Sequence, residues 1–172
     1  MNYKTEFPNY QDEIPALEGF IDTSYGNDAC PSFELPLSEG LAVRVWVEYA
    51  DPSQRESQLG RFIVELNQDD ELSTILTTED LDLVYFVVDL IKKGAKSSEV
   101  SFLCSWNGNL FELHTEESLR RDYGKTNLFL EDSPWGRDNE SDFEIVLRKL
   151  KTKRYVNNWC DNMSIFRLSG RF

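Results

Sequence analysis

One histidine, three cysteines and two methionines in 172 residues leave this chain nearly without the side chains that most often do chemistry near neutral pH. Cys30, Cys104 and Cys160 are odd in number and form no close pair, which argues against both a disulfide framework and the paired ligand spacing of structural zinc. No apolar run approaches the roughly 18 residues of a membrane-spanning helix, and Met1-Asn2-Tyr3-Lys4-Thr5-Glu6 has no apolar stretch after a basic one, so neither a membrane nor a secretory signal is expected. Unpaired thiols suit a reducing compartment, and the expected location is the cytoplasm. No repeat and no low-complexity tract is visible, which excludes solenoids and propellers.

Basic residues are scarce in the first hundred positions, with 7 against 20 acids, whereas Ser101 to Phe172 hold 11 of each. The whole net charge of −13 therefore belongs to the first hundred residues. Such a field attracts basic proteins or cations, opposes nucleic acid, and does not by itself imply a reaction.

Against these absences stands an ordinary core-forming content, 40% hydrophobic and 13% aromatic. The length suits one domain over 1–172, with 1–14, which is polar, aromatic and without a period, as a flexible arm or an edge segment. Ala16 to Thr23 can alternate as a strand before a turn-rich loop, Asp22 to Pro31. Leu41, Val43, Val45, Val47 and Tyr49 share one face of an extended segment, with Ala42, Arg44, Trp46 and Glu48 on the other. Phe62, Val64 and Leu66 line a returning strand, Asp69-Asp70-Glu71 makes an acidic tip, and Leu72 to Thr77 forms a third strand.

Thr78 is the expected N-cap of a helix carrying Glu79, Asp80 and Asp82 in its first turn, with Gly94 as its stop. Asn107-Gly108 predicts a two-residue hairpin turn. Its register places Cys104 opposite Phe111, Phe102 opposite Leu113, Leu103 opposite Glu112 and Ser101 opposite His114. Thr115 caps a short helix ending near Gly124, and Thr126 to Leu130 follows as a strand. Ser141-Asp142-Phe143-Glu144 is a capping box for a third helix with a basic C-terminal half, Arg148 to Arg154. Ile165 to Phe172 closes the fold on a strand. This order predicts an α+β domain, a largely antiparallel sheet with about three helices packed on it.

The hairpin register brings Ser101, His114 and Glu112 together as a hydroxyl, an imidazole and a carboxylate, the components of nucleophilic hydrolysis. A solvated strand face accounts for them better, because no nucleophile elbow or oxyanion loop accompanies them. The acidic clusters match no calcium loop, and no metal or cofactor is assigned. The Asp22 to Pro31 loop gathers polar groups, a glycine and Tyr25 but no phosphate-binding fingerprint. Tyr155 and Trp159 beside the basic run could stack on bases, yet the net charge argues against direct nucleic-acid binding.

In size and charge alone the chain resembles small acidic α+β proteins such as toxin-immunity proteins and nuclease inhibitors of mobile elements. The expectation is a non-enzymatic protein-binding module with no catalytic residues. Its acidic half would dock on a basic partner, such as a nuclease or other nucleic-acid-binding protein, that it inhibits. The binding residues would be Asp69, Asp70, Glu71, Glu79, Asp80 and Asp82, with Trp46, Trp135 and Tyr25 as aromatic anchors. The alternatives are a small-ligand protein or hydrolase using the Tyr25 loop or the Ser101, His114 and Glu112 face, and a structural subunit completing an assembly through a strand edge.

Overall fold

A computed structural model describes residues 2–56, 60–69, 71–97, 101–106, 110–123, 150, 155–158 and 163–169. Within them the fold is α+β. Among the described residues three helices with defined bounds accompany nine strands, every strand pairing is antiparallel, and the strands form two sheets. The chain gathers into two compact units, Met1–Asp89 and Leu90–Phe172.

The first unit is a five-stranded meander in sequence order: β1 (Ile21–Asp22), β2 (Ser32–Ser38), β3 (Leu41–Val47), β4 (Phe62–Gln68) and β5 (Glu71–Thr78). The alternation of β3 is realised from Val43 to Val47, with Val43, Val45 and Val47 fully buried and Arg44 and Trp46 half-buried on the other face, whereas Ala42 and Glu48 on that face are buried too and the strand ends before Glu48 and Tyr49. Val43 lies opposite Leu66, Val45 opposite Val64 and Val47 opposite Phe62, so both hairpin strands commit the same face to the core. The β4–β5 register slips between Val64, paired with Leu76, and Glu65, paired with Thr74. The extra residue is Ile75, and this bulge lets consecutive Ile75 and Leu76 both be buried.

The strand expected over Ala16 to Thr23 shrinks to Ile21–Asp22, and Asp51 caps a short 3-10 turn, Pro52–Gln54. The opening segment packs against this unit. After the one-turn helix α1 (Tyr3–Glu6), Phe7 and Tyr10 are buried, and the Tyr10 hydroxyl donates to the Glu48 carbonyl at 3.2 Å.

Helix α2 (Leu81–Ala95) starts two residues later than its expected cap implies. Asp80 caps it, its Oδ1 accepting from the backbone N–H of Asp82 at 2.9 Å and of Leu83 at 3.3 Å, while the Thr78 hydroxyl accepts from the Asp80 N–H. Asp serves this position better than Thr because its carboxylate also meets the positive end of the helix dipole. Val84, Val87, Val88 and Ile91 form the buried stripe, while Tyr85 and Phe86 are exposed. Gly94 does not stop the helix. It lies in the last turn, where a β-carbon would run into the side chains of Leu113 and Leu168.

The second unit holds β6 (Ser101–Trp106), β7 (Leu110–Thr115), β8 (Tyr155–Asn158) and β9 (Met163–Ser169) in the order β7-β6-β9-β8, with α3 (Glu116–Tyr123) following β7. The hairpin exists, but its register is one residue away from the expected one. Trp106 pairs with Leu110, so three positions separate the paired ends instead of two, and Cys104 lies opposite Glu112, Phe102 opposite His114 and Ser101 opposite Thr115. Cys104 is buried all the same, because β6 is an interior strand in which Phe102, Leu103 and Cys104 are all inaccessible. Strand β8 has no counterpart among the expected elements.

The Asn107-Gly108 turn, the 126–130 strand and the Ser141 capping box lie outside the described residues, as do Asp70, Trp135, Trp159 and Cys160. So does the basic run at 148–154, apart from Leu150, which is helical and fully buried.

Candidate functional site: an acidic cleft in the first unit

The β3–β4 pairing sets Trp46 across from Ile63 and Arg44 across from Glu65, on the sheet face opposite the valine core. On that face the Trp46 indole N–H donates to Glu65 Oε2 at 2.7 Å, and the Thr74 hydroxyl donates to Glu65 Oε1 at 3.2 Å. Arg44 pairs with Glu34 at 2.9 Å and lays its guanidinium over the Trp46 ring, 5.5 Å from the centroid. The indole and the Glu65 carboxylate are therefore held in fixed orientations before anything binds.

Beside them a cleft of about 440 Å³ opens between these strands and the loop at Asn27 to Cys30. Ser24 ties the base of that loop, its hydroxyl accepting from the Ser32 N–H at 3.1 Å, and the Gly26 N–H donates to Glu6 at 2.9 Å. Four carboxylates line the cleft, Asp28, Glu48, Glu56 and Glu65, and among the described residues no Lys, Arg or His does. Glu48 is 2% exposed, whereas Glu56 stands in solvent at the rim. Trp46, Ile63 and Ala29 supply apolar wall. Burial pushes the Cys30 thiol well above the ordinary range, and the negative charges of Glu48, Asp28 and Glu56 push it further. Among the described residues no three His, Cys, Asp or Glu side chains are placed to hold a metal ion.

Of the anchors expected from sequence, Trp46 lies in this cleft. Tyr25 belongs to the same loop but projects outward, 53% exposed. The two expected acidic clusters do not meet, because Asp69 and Glu71 stand at one end of β5 and Glu79, Asp80 and Asp82 at the other, roughly 25 Å away for a strand of this length. Glu79 is paired with Arg55, Asp80 is occupied as a cap, and Asp82 is exposed.

The Ser101, His114 and Glu112 grouping does not form. Directly opposed residues share a face, so pairing Ser101 with Thr115 and Phe102 with His114 puts Ser101 and His114 on opposite sides of the sheet. His114 Nε2 does lie 3.2 Å from Glu112, but its Nδ1 faces the Ser118 hydroxyl at 3.3 Å and Asp122 at 3.9 Å. Ser118 in turn closes a capping box at the start of α3. Its hydroxyl accepts from the Thr115 N–H at 2.9 Å while its own N–H donates to the Thr115 hydroxyl at 3.2 Å.

No family model, curated protein or solved structure matches this chain. The cleft carboxylates Glu48 and Glu65 are not among the residues expected to bind. The signal for one of them is present in the alternation, which puts Glu48 on the same strand face as Trp46.

Proposed function

We propose that this protein is a non-enzymatic binding module whose first unit docks on a strongly basic protein surface of the kind that nucleic-acid-binding proteins and nucleases present. The observation that carries the reading is the partition of charge between the units. Met1–Asp89 contains 19 acids and 4 bases, a net of −15, while Leu90–Phe172 is close to neutral at +2. Three of those four bases are engaged within the unit: Arg44 with Glu34, Arg55 with Glu79, and Arg61 with the Glu13 carbonyl. The remaining carboxylate charge forms a field that steers a cationic partner and repels phosphate. A surface that occupies the phosphate-binding side chains of such a partner competes with its nucleic acid, which makes inhibition the natural consequence.

The test is affinity capture from the source cell with mass spectrometry, comparing the native chain with a variant carrying Asp69→Asn, Glu71→Gln and Asp82→Asn, at about 50 and about 500 mM salt. Asn at 69 keeps the turn, because Asp69 has a φ of 50° that Asn tolerates. The expected result is a basic protein retained by the native chain at low salt, and lost both at high salt and with the variant. Retention indifferent to salt and to these charges would overturn the reading.

A further inference from the structure

We propose that the cleft between the Asn27 to Cys30 loop and strands β3 and β4 is the receptor for an arginine side chain of that basic partner. The inference rests on the docking reading and names the group that would confer specificity within it. The cleft combines two features in one cavity, and a bare cluster of acids has only one of them. Its walls at Trp46, Ile63 and Ala29 suit an aliphatic stem, and its four carboxylates suit a cationic head.

The carboxylates come from separate elements: Asp28 from the loop, Glu48 just past the end of β3, Glu56 beyond the 3-10 turn and Glu65 from β4. A guanidinium carries five N–H donors in a planar fork and can meet acceptors approaching from several directions, whereas an ammonium is a compact, strongly hydrated point charge. Arginine is also less costly to bring beside a carboxylate as deeply placed as Glu48, because its head is more weakly hydrated. Cys30 lines the same cleft, and its thiol is raised first by burial and then by the charges of Glu48, Asp28 and Glu56. The same face already holds one guanidinium in this manner, with Arg44 against Glu34 and the Trp46 ring.

The experiment titrates the full chain with a hexa-arginine peptide, a hexa-lysine peptide and N-acetyl-arginine amide. Nuclear magnetic resonance reads the Trp46 indole N–H and the amides of Asn27 to Cys30, and calorimetry reads affinity. The expected result is that hexa-arginine shifts these signals and binds more tightly than hexa-lysine, and that Glu56→Gln and Glu65→Gln each weaken it by about two- to fivefold, the scale of a partly exposed ion pair. Gln at 65 keeps an acceptor for the Trp46 N–H, so the fold is preserved.

Equal affinity for the two peptides, or shifts that avoid the cleft, would overturn the arginine assignment. Binding of N-acetyl-arginine amide as tightly as hexa-arginine would overturn the protein partner in favour of a small ligand. If the cleft variants have no effect while Asp69→Asn with Glu71→Gln weakens hexa-arginine binding, the cleft fails and the docking reading stands. If neither set matters, both fail.

Discussion

Trp46 and Glu65 are joined by a 2.7 Å hydrogen bond from the indole N–H to a carboxylate oxygen that lies diagonal to it across the β3–β4 pair. A charge-assisted bond of this kind contributes about 1.5–3 kcal/mol when buried. Here both partners are half-buried and Glu65 keeps its bond from Thr74, so the lower end applies. Trp46→Phe is expected to cost about 1.5 kcal/mol, read as a lower denaturant midpoint at unchanged slope, and Glu65→Gln less than that. A neutral Trp46→Phe, or a larger loss for Glu65→Gln, would show that the bond does not orient the cleft wall.

Tyr10 links the opening segment to the sheet and supplies a pH dependence. Burial raises its phenol from the ordinary 10.0 to about 12, with Arg61 offsetting part of the shift. A raised folded pKa means the folded state holds the proton more tightly, so this contribution is complete below about pH 10 and is lost as pH rises towards 12. The native chain should lose stability through that window more steeply than Tyr10→Phe, which has no proton to lose. Parallel alkaline unfolding curves for the two would contradict the burial of this hydroxyl.

The cap of α2 can be located by substitution. Asp80→Ala removes the acceptor for the Asp82 and Leu83 N–H groups and should cost about 1 kcal/mol, while Asp80→Asn retains most of that. Thr78→Ala removes only an acceptor for the Asp80 N–H, outside the helix, and should cost less than Asp80→Ala. The reverse order in thermal midpoints would restore Thr78 as the cap.

What the sequence makes legible follows from how each signal is encoded. The inward face of β3 is readable because period-two alternation between Leu41 and Val47 admits no other register with a core. The α2 stripe is readable for the same reason at helical period. The β6–β7 register is not, since β6 is buried on both faces and its run of Ser101 to Trp106 carries no alternation to set it. With pattern silent, Asn-Gly alone is left to set the register, and a one-residue difference in loop length exchanges the faces of Ser101 and His114. The cleft is half visible. Trp46 and the Asn27 to Cys30 loop can each be singled out, but their meeting depends on how a loop from before β2 lies against β3 and β4, which no local pattern contains.

Gly94 gives the sharpest contrast between local propensity and packing. By propensity, Gly94→Ala in the last turn of α2 should stabilise by at most about 0.8–1 kcal/mol, the value for a helix interior. In the folded unit a β-carbon there would lie 2.4 Å from Leu168 Cδ1, 2.9 Å from Leu113 Cδ1 and 3.3 Å from Leu168 Cβ. The two methyl ends can turn away, but Leu168 is buried on the same sheet strand as Ile165 and Phe166, and the third contact is to the root of its side chain. Overpacking of this size costs about 1–3 kcal/mol, which exceeds the propensity gain. The expected outcome is a net loss of about 1 kcal/mol for Gly94→Ala, with Leu168→Ala in the same chain relieving that loss in a double-mutant cycle. A stabilised Gly94→Ala protein would mean that α2 does not approach β7 and β9 as closely as described, and that glycine here serves the backbone instead of the packing.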